Sequence, residues 1–168
     1  MPTLFLLIGG NQGDRETLLR QATDLIQQRI GSVADLSKIY QTAPWGDFST
    51  DDHPQDFLNQ ALKVLTNLSP SECLTEALVI ENELGRKRKN QARTLYSSRP
   101  IDIDLIFYDS LIIHSPSLVL PHPRMHLRRF VLTPLCDFAP NYIHPVFNKK
   151  LLQLLSECPD TSSCLPYC

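Results

Sequence analysis

Between Pro100 and Asp109 the chain reads Ile101-Asp102-Ile103-Asp104-Leu105-Ile106-Phe107, and its first five residues alternate strictly between apolar and acidic. Strand side chains point to opposite faces in turn, so this segment predicts a strand with Ile101, Ile103, Leu105 and Phe107 in a core. Asp102 and Asp104 then project together from the other face, about 7 Å apart. Two carboxylates so placed repel unless a cation sits between them. Hard oxygen donors suit Mg²⁺, and a pair of such ions ~3.5–4 Å apart is a common grip on a polyphosphate. A solvated strand face explains the same alternation without metal.

The elements around this strand suggest the sheet it belongs to. Residues 3–8 read as a buried strand, broken by a tight turn at Gly9-Gly10-Asn11-Gln12-Gly13. A helix from about Asp14 to Ile30 follows, with Leu18, Leu19, Ala22, Leu25, Ile26 and Ile30 along one stripe and Gly31 ending it. Residues 33–42 read as a second strand, 43–56 as an irregular loop and 57–65 as a third strand. Ser69-Pro70-Ser71-Glu72 has a capping-box Ser and Glu around a proline, which predicts a helix from Pro70 to Leu84 capped by Gly85. Residues 86–99 have no apolar period and read as a polar loop before the Asp102 strand. Beyond it come a short segment at 111–113, a proline-rich bend around Pro116, Pro121 and Pro123, and helical stretches near 126–138 and 148–156. Strand, helix, strand, strand, helix, strand is the α+β, ferredoxin-like βαββαβ antiparallel sheet. The added C-terminal helices make it a three-layer α/β/α arrangement. A chain of 168 residues fits one domain, expected over residues 1–156 with a tail at 157–168.

Sixteen Lys and Arg against eighteen Asp and Glu leave a net charge of -2, which argues against a surface that grips nucleic acid or anionic lipid as a whole. No apolar run approaches the ~20 residues of a bilayer span, and TLFLLIG lacks the basic lead of a signal peptide, so the expected location is cytoplasmic. Cys73 and Cys136 lie in apolar stretches as small hydrophobes, while Cys158, Cys164 and Cys168 crowd the tail without a zinc-type spacing. The balanced total hides local charge. Arg86, Lys87, Arg88, Lys89, Arg93 and Arg99 fall in one acid-free stretch, and His122, Arg124, His126, Arg128 and Arg129 in another. Basic segments on both sides of an Asp-x-Asp strand suit an Mg-bound triphosphate, whose outer oxygens guanidinium groups can clamp. An exposed solubilising loop is the plain alternative for the first. No GxxxxGK[ST] is present, so the phosphate grip is not a P-loop.

Taken in order, IGGNQGDR, YQTAPWG, DFLNQAL, ELGRKRK, RPIDIDLIFYD, LPHPRMHLRRFVLTPL and DFAP resemble the 6-hydroxymethyl-7,8-dihydropterin pyrophosphokinase family of folate biosynthesis, over all but the tail after about residue 156. The resemblance implies transfer of the β,γ-diphosphate of ATP to the pterin hydroxymethyl group, with release of AMP. By motif, Asp102 and Asp104 would hold two Mg²⁺ ions, and Arg86 and Arg99 would bind phosphate. Lys89 and His122 would add phosphate contacts, and Arg128 would serve ATP from the far side. Phe57 and Phe130 match the family's pterin-stacking pair, Asn59 its pterin-reading amide, and Thr42 and Trp45 positions that line the same pocket. For Phe57 and Phe130, core packing is the plain alternative. Glu81, an acid on the buried edge of the second helix, matches a family acid near the metals at the ATP site; a structural salt bridge to Arg86 is its other reading. The expected partners are the two small-molecule substrates, with no nucleic acid or membrane, and the chain is expected to be a monomer. Two other classes fit parts of the pattern: an RNA-binding ferredoxin-like module using the basic loop, and an Mg-dependent phosphohydrolase that would release inorganic phosphate.

Overall fold

A computed structural model describes residues 1–43, 55–85 and 100–167. The elements are β1 (Thr3–Gly10), α1 (Arg15–Arg29), β2 (Ser32–Leu36), β3 (Tyr40–Thr42), β4 (Phe57–Leu65), α2 (Pro70–Glu83), β5 (Asp102–Tyr108), β6 (Ile113–His114), β7 (Val119–Leu120), α3 (Arg129–Cys136), α4 (Leu151–Ser156) and β8 (Cys164–Pro166). The main sheet runs β5-β1-β4-β3-β8, with β2 also on β4, and its pairings are antiparallel. This is the expected βαββαβ order, and β6 and β7 form a separate two-stranded antiparallel sheet.

Each face of the sheet has its own core. On one, Leu4, Leu6 and Ile8 of β1 meet Leu19, Ala22 and Ile26 of α1 and Cys73, Ala77 and Ile80 of α2. On the other, Phe5 and Leu7 meet Val131, Leu132 and Leu135 of α3 and Leu151 and Leu154 of α4. The helix starts follow from their sequences: Asp14 accepts from the Thr17 N–H at 3.2 Å, and Ser69 and Glu72 form the reciprocal capping box. Gly85, at φ +102°, takes the left-handed turn after α2 that disfavours a side chain.

Four local expectations change. Gly9 and Gly10 continue β1 instead of breaking it. The expected 33–42 strand divides into β2 and β3 because Ser37 interrupts the ladder: its hydroxyl accepts the Ala61 N–H at 2.9 Å and donates to the Lys38 carbonyl at 2.6 Å. In β5 the register slips opposite Phe5 and Leu6, so Phe107 joins the α3 side while Ile101, Ile103 and Leu105 stay on the α1 side. The 126–138 stretch is a 3-10 turn at Met125–Leu127 followed by α3, with Arg128 extended between them at φ -128° and ψ 111°. The tail is folded too, since β8 pairs with β3 at the sheet edge. Among the described residues Cys73, Cys136, Cys158 and Cys164 are free thiols.

Candidate active site

The candidate residues gather on the α3 side of the sheet, near the end where β1 runs out. Gly9 of β1 pairs with Asn59 of β4 on one flank and with Asp102 of β5 on the other. Cross-strand partners share a face, so Asp102, Gly9, Asn59 and, one strand further, Tyr40 form a row across four strands. Asp102 and Asn59 are then two strand spacings apart, about 10 Å. Asp104 lies in the next row beside Leu7. Both aspartates are half-buried.

Asn59 is buried and donates through Nδ2 to Thr42 Oγ1 at 3.4 Å. Phe57 stands two residues before it on the same face and pairs with Thr42. Phe130, on the first turn of α3, packs against the core of this side, with the Arg128 guanidinium 5.7 Å from its ring centroid. The structure therefore brings Thr42, Phe57 and Asn59 together, and sets Phe130 on the first turn of α3 and Arg128 on the extended residue just before it.

Behind the aspartates, Glu81 of α2 is 2% exposed, and its Oε2 accepts the Ile103 N–H at 3.3 Å. It thereby holds the backbone between Asp102 and Asp104. His122 stands among charges. Burial first, then the guanidinium of Arg128 and, more weakly, the charge of Arg124, outweigh the pull of Asp102 and lower its pKa to about 4. The Arg124 N–H donates to His122 Nδ1 at 3.2 Å. At neutral pH the ring is therefore uncharged and carries its proton on Nε2, as a hydrogen-bond donor. Trp45, Arg86, Lys89 and Arg99 lie outside the described residues.

Gly9 is a position in this row that the sequence alone does not single out. A Cβ there would overlap Asn59 Oδ1 and crowd the Leu58 carbonyl, so only glycine leaves a floor between the carboxylates and the amide. A glycine pair at the end of an apolar run was its signal in the sequence, and a turn explains such a pair equally well.

Three comparisons bear on this arrangement. The family model described as 7,8-dihydro-6-hydroxymethylpterin-pyrophosphokinase (HPPK) matches residues 5–140. A 2-amino-4-hydroxy-6-hydroxymethyldihydropteridine pyrophosphokinase of Porphyromonas gingivalis is 41% identical over 146 residues, covering 86% of this chain and 95% of that protein. One of Aquifex aeolicus is 32% identical over 168 residues, covering all of this chain and 97% of the relative. The folic acid synthesis protein fol1 of Pneumocystis carinii is 36% identical over 157 residues, which are 94% of this chain but 20% of that one. Among solved structures, an HPPK-DHPS in complex with substrates superposes with a TM-score of 0.72 at 16% identity, over 93% of this chain. This chain spans 43% of that longer protein, and the likeness speaks to fold. No helix among the described residues is long and apolar enough to cross a membrane. On the length of the match and the identity to full-length relatives, the chain belongs to the 7,8-dihydro-6-hydroxymethylpterin-pyrophosphokinase family.

Proposed function

We propose that the row Asp102-Gly9-Asn59 is the floor on which this enzyme joins its two substrates, the triphosphate of ATP over β5 and the pterin over β4. The overall activity is that of the family: ATP-dependent transfer of diphosphate to hydroxymethyldihydropterin for folate biosynthesis. The observation that carries the residue assignment is the shared register on Gly9, which sets a carboxylate and an amide pocket on one face with no side chain between them.

The acidic side of the row fits Mg²⁺. Asp102 and Asp104 offer hard oxygens from one strand face, and among the described residues no cluster of three or more potential ligands closes around them. An ion held there would complete its shell with phosphate oxygens and water, the usual habit of Mg²⁺. When bound, Mg²⁺ would neutralise charge developing on the transferred phosphates. Glu81 keeps the strand backbone between the aspartates fixed. His122 presents an uncharged N–H donor to a phosphate oxygen, and Arg128 supplies a permanent cation. Arg86, Lys89 and Arg99 complete the phosphate grip.

On the pterin side, Phe57 and Phe130 stack on the ring and Asn59, backed by Thr42, reads its polar edge, with Trp45 completing the pocket. The hydroxymethyl oxygen then attacks the β-phosphorus in line. The new O–Pβ bond forms as the Pβ–O bond to the α,β-bridging oxygen breaks, that oxygen leaves with AMP, and the hydroxyl proton is released to water. Holding the two reactants over one floor supplies most of the acceleration.

The test is to incubate the protein with ATP, Mg²⁺ and 6-hydroxymethyl-7,8-dihydropterin and resolve the products. AMP and the pterin diphosphate should appear in equal amounts, and Asp102→Ala and Asp104→Ala should each lower turnover by at least a hundredfold. Near-full turnover in both variants would sink the metal assignment, and inorganic phosphate without AMP would favour a phosphohydrolase.

A further inference from the structure

The family match ends at residue 140, yet the segment from Asp160 to Tyr167 reaches both sides of the pterin pocket. α3 begins without a cap of its own, because Arg128 makes no side-chain capping bond. Asp160 supplies one from a distance: its Oδ2 accepts the Arg129 N–H at 3.1 Å, and its carbonyl accepts Arg129 Nε at 2.9 Å. A carboxylate suits a helix N-terminus, and the next residue along the helix is Phe130. Asp160 is itself held, with the Ser162 N–H donating to its Oδ1 at 2.9 Å. Burial alone would raise its pKa, but the hydrogen bonds from Ser162 and Arg129 outweigh it and keep the carboxyl below its usual range.

Further along, β8 lies against α3, and its Cys164 pairs with Thr42 in the sheet. Tyr167 donates its N–H to the Ile39 carbonyl at 2.8 Å, and its ring packs against the core on the α1 side. The Arg15 guanidinium lies 5.9 Å from the centre of that ring and donates through Nη1 to the Asp56 carbonyl at 2.7 Å. Gln41 Nε2 holds the Asp56 carboxylate at 2.8 Å. Asp56 directly precedes Phe57.

We propose that residues 160–167 are a clasp that sets the spacing of the two aromatic walls. Asp160 acts on Phe130 through the start of α3, and Tyr167 acts on Phe57 through Arg15 and Asp56. The clasp rests on the assignment of Phe57 and Phe130 to the pterin. Asp160 and Arg15 are positioning residues, since neither reaches the reacting atoms. Stacking on both faces of a flat ring tolerates little error, and displacing one wall by about 1 Å weakens the grip.

The test is a fluorescence titration of the full-length protein with 6-hydroxymethyl-7,8-dihydropterin, in the presence of Mg²⁺ and α,β-methylene-ATP so that no transfer occurs. Asp160→Ala and Arg15→Ala should each raise the pterin Kd three- to tenfold. Asp160→Asn keeps an acceptor for the Arg129 N–H and should stay within twofold of wild type. Nucleotide Kd should stay within twofold in Arg15→Ala. In a Phe130→Ala background, Asp160→Ala should add less than twofold, because the wall it positions is gone. Unchanged pterin Kd in both alanine variants overturns the clasp, as does full additivity with Phe130→Ala or an equal loss of pterin and nucleotide affinity in Arg15→Ala. Phe57→Ala and Phe130→Ala separate the two levels. If neither weakens pterin binding, the pocket assignment fails and the clasp with it; if both do while Asp160→Ala and Arg15→Ala do not, the clasp alone fails.

Discussion

Asn59 and Asp102 sit on the two strands that flank β1 and register on the same residue, Gly9. In the proposed site Asn59 belongs to the pterin and Asp102 to the triphosphate, so the residue between them must not intrude. A methyl group at Gly9 would overlap Asn59 Oδ1. Gly9→Ala should therefore displace the amide, raising the KM for the pterin at least tenfold while ATP KM changes less. Steady-state kinetics with each substrate varied in turn reads the split, and an equal rise in both KM values would refute it.

Glu81 is a carboxylate 2% exposed on the opposite side of β5 from the two aspartates, accepting the Ile103 N–H at 3.3 Å. Glu81→Ala leaves that buried donor unsatisfied, at a cost of about 1–3 kcal/mol, and frees the strand backbone between the aspartates. Turnover should fall by tenfold or more. Glu81→Gln retains an amide oxygen as acceptor and should recover part of the loss in stability, as read by urea unfolding beside the kinetics.

The alternation of Ile101, Ile103 and Leu105 with Asp102 and Asp104 was legible because strand faces obey a period of two, and the face of the carboxylates followed at once. The same rule misplaced Phe107: a bulge is set by how β5 meets β1, which residues 101–107 do not encode by themselves. Gly9 and Gly10 read as a turn because glycine suits both turns and close strand crossings. Only the position of Asn59 on a strand fifty residues away distinguishes them. Ser37 ended a strand with no proline or glycine, through a hydroxyl that took over the ladder bond from Ala61. Thr42, Phe57 and Asn59 were tied to the pterin only through family resemblance, since buried aromatics and amides look like ordinary core, and their assignment remains part of the proposal. Asp160 carried no local signal, because a cap supplied from thirty-one residues away has no sequence spacing to read.

Ser37 offers a clean stability test away from the site. It is 5% exposed, and its Oγ is the acceptor for the Ala61 N–H at 2.9 Å. Ser37→Ala strands that donor in the sheet and should cost about 1–3 kcal/mol. The urea midpoint should fall with kcat preserved within about twofold, because the side chain points at no substrate group. An unchanged midpoint would mean that the ladder re-forms through the backbone.

Acid sensitivity should come from the histidines behind β5. His144 is 2% exposed; its Nδ1 accepts the Val146 and Phe147 N–H groups at 3.1 and 3.2 Å, and its ring stacks on Phe147 and meets Phe107 edge-on. Burial, then the neighbouring His126, lowers its pKa to about 4. His126 faces the same Phe147 ring and is shifted down by burial as well. An unfolded histidine titrates near 6.5. Between pH 6.5 and 4 the unfolded chain therefore holds protons that the folded chain refuses, and stability declines as pH falls through that window. The stabilisation is fully present above pH 6.5, and the part from His144 is on the order of 2 kcal/mol after allowance for screening by solvent. His144→Asn keeps an acceptor where Nδ1 stood and removes the titrating group. Urea unfolding at pH 4.5, 5.5, 6.5 and 7.5 should show a shallower pH slope for this variant than for the wild type, and equal slopes would place the acid sensitivity elsewhere.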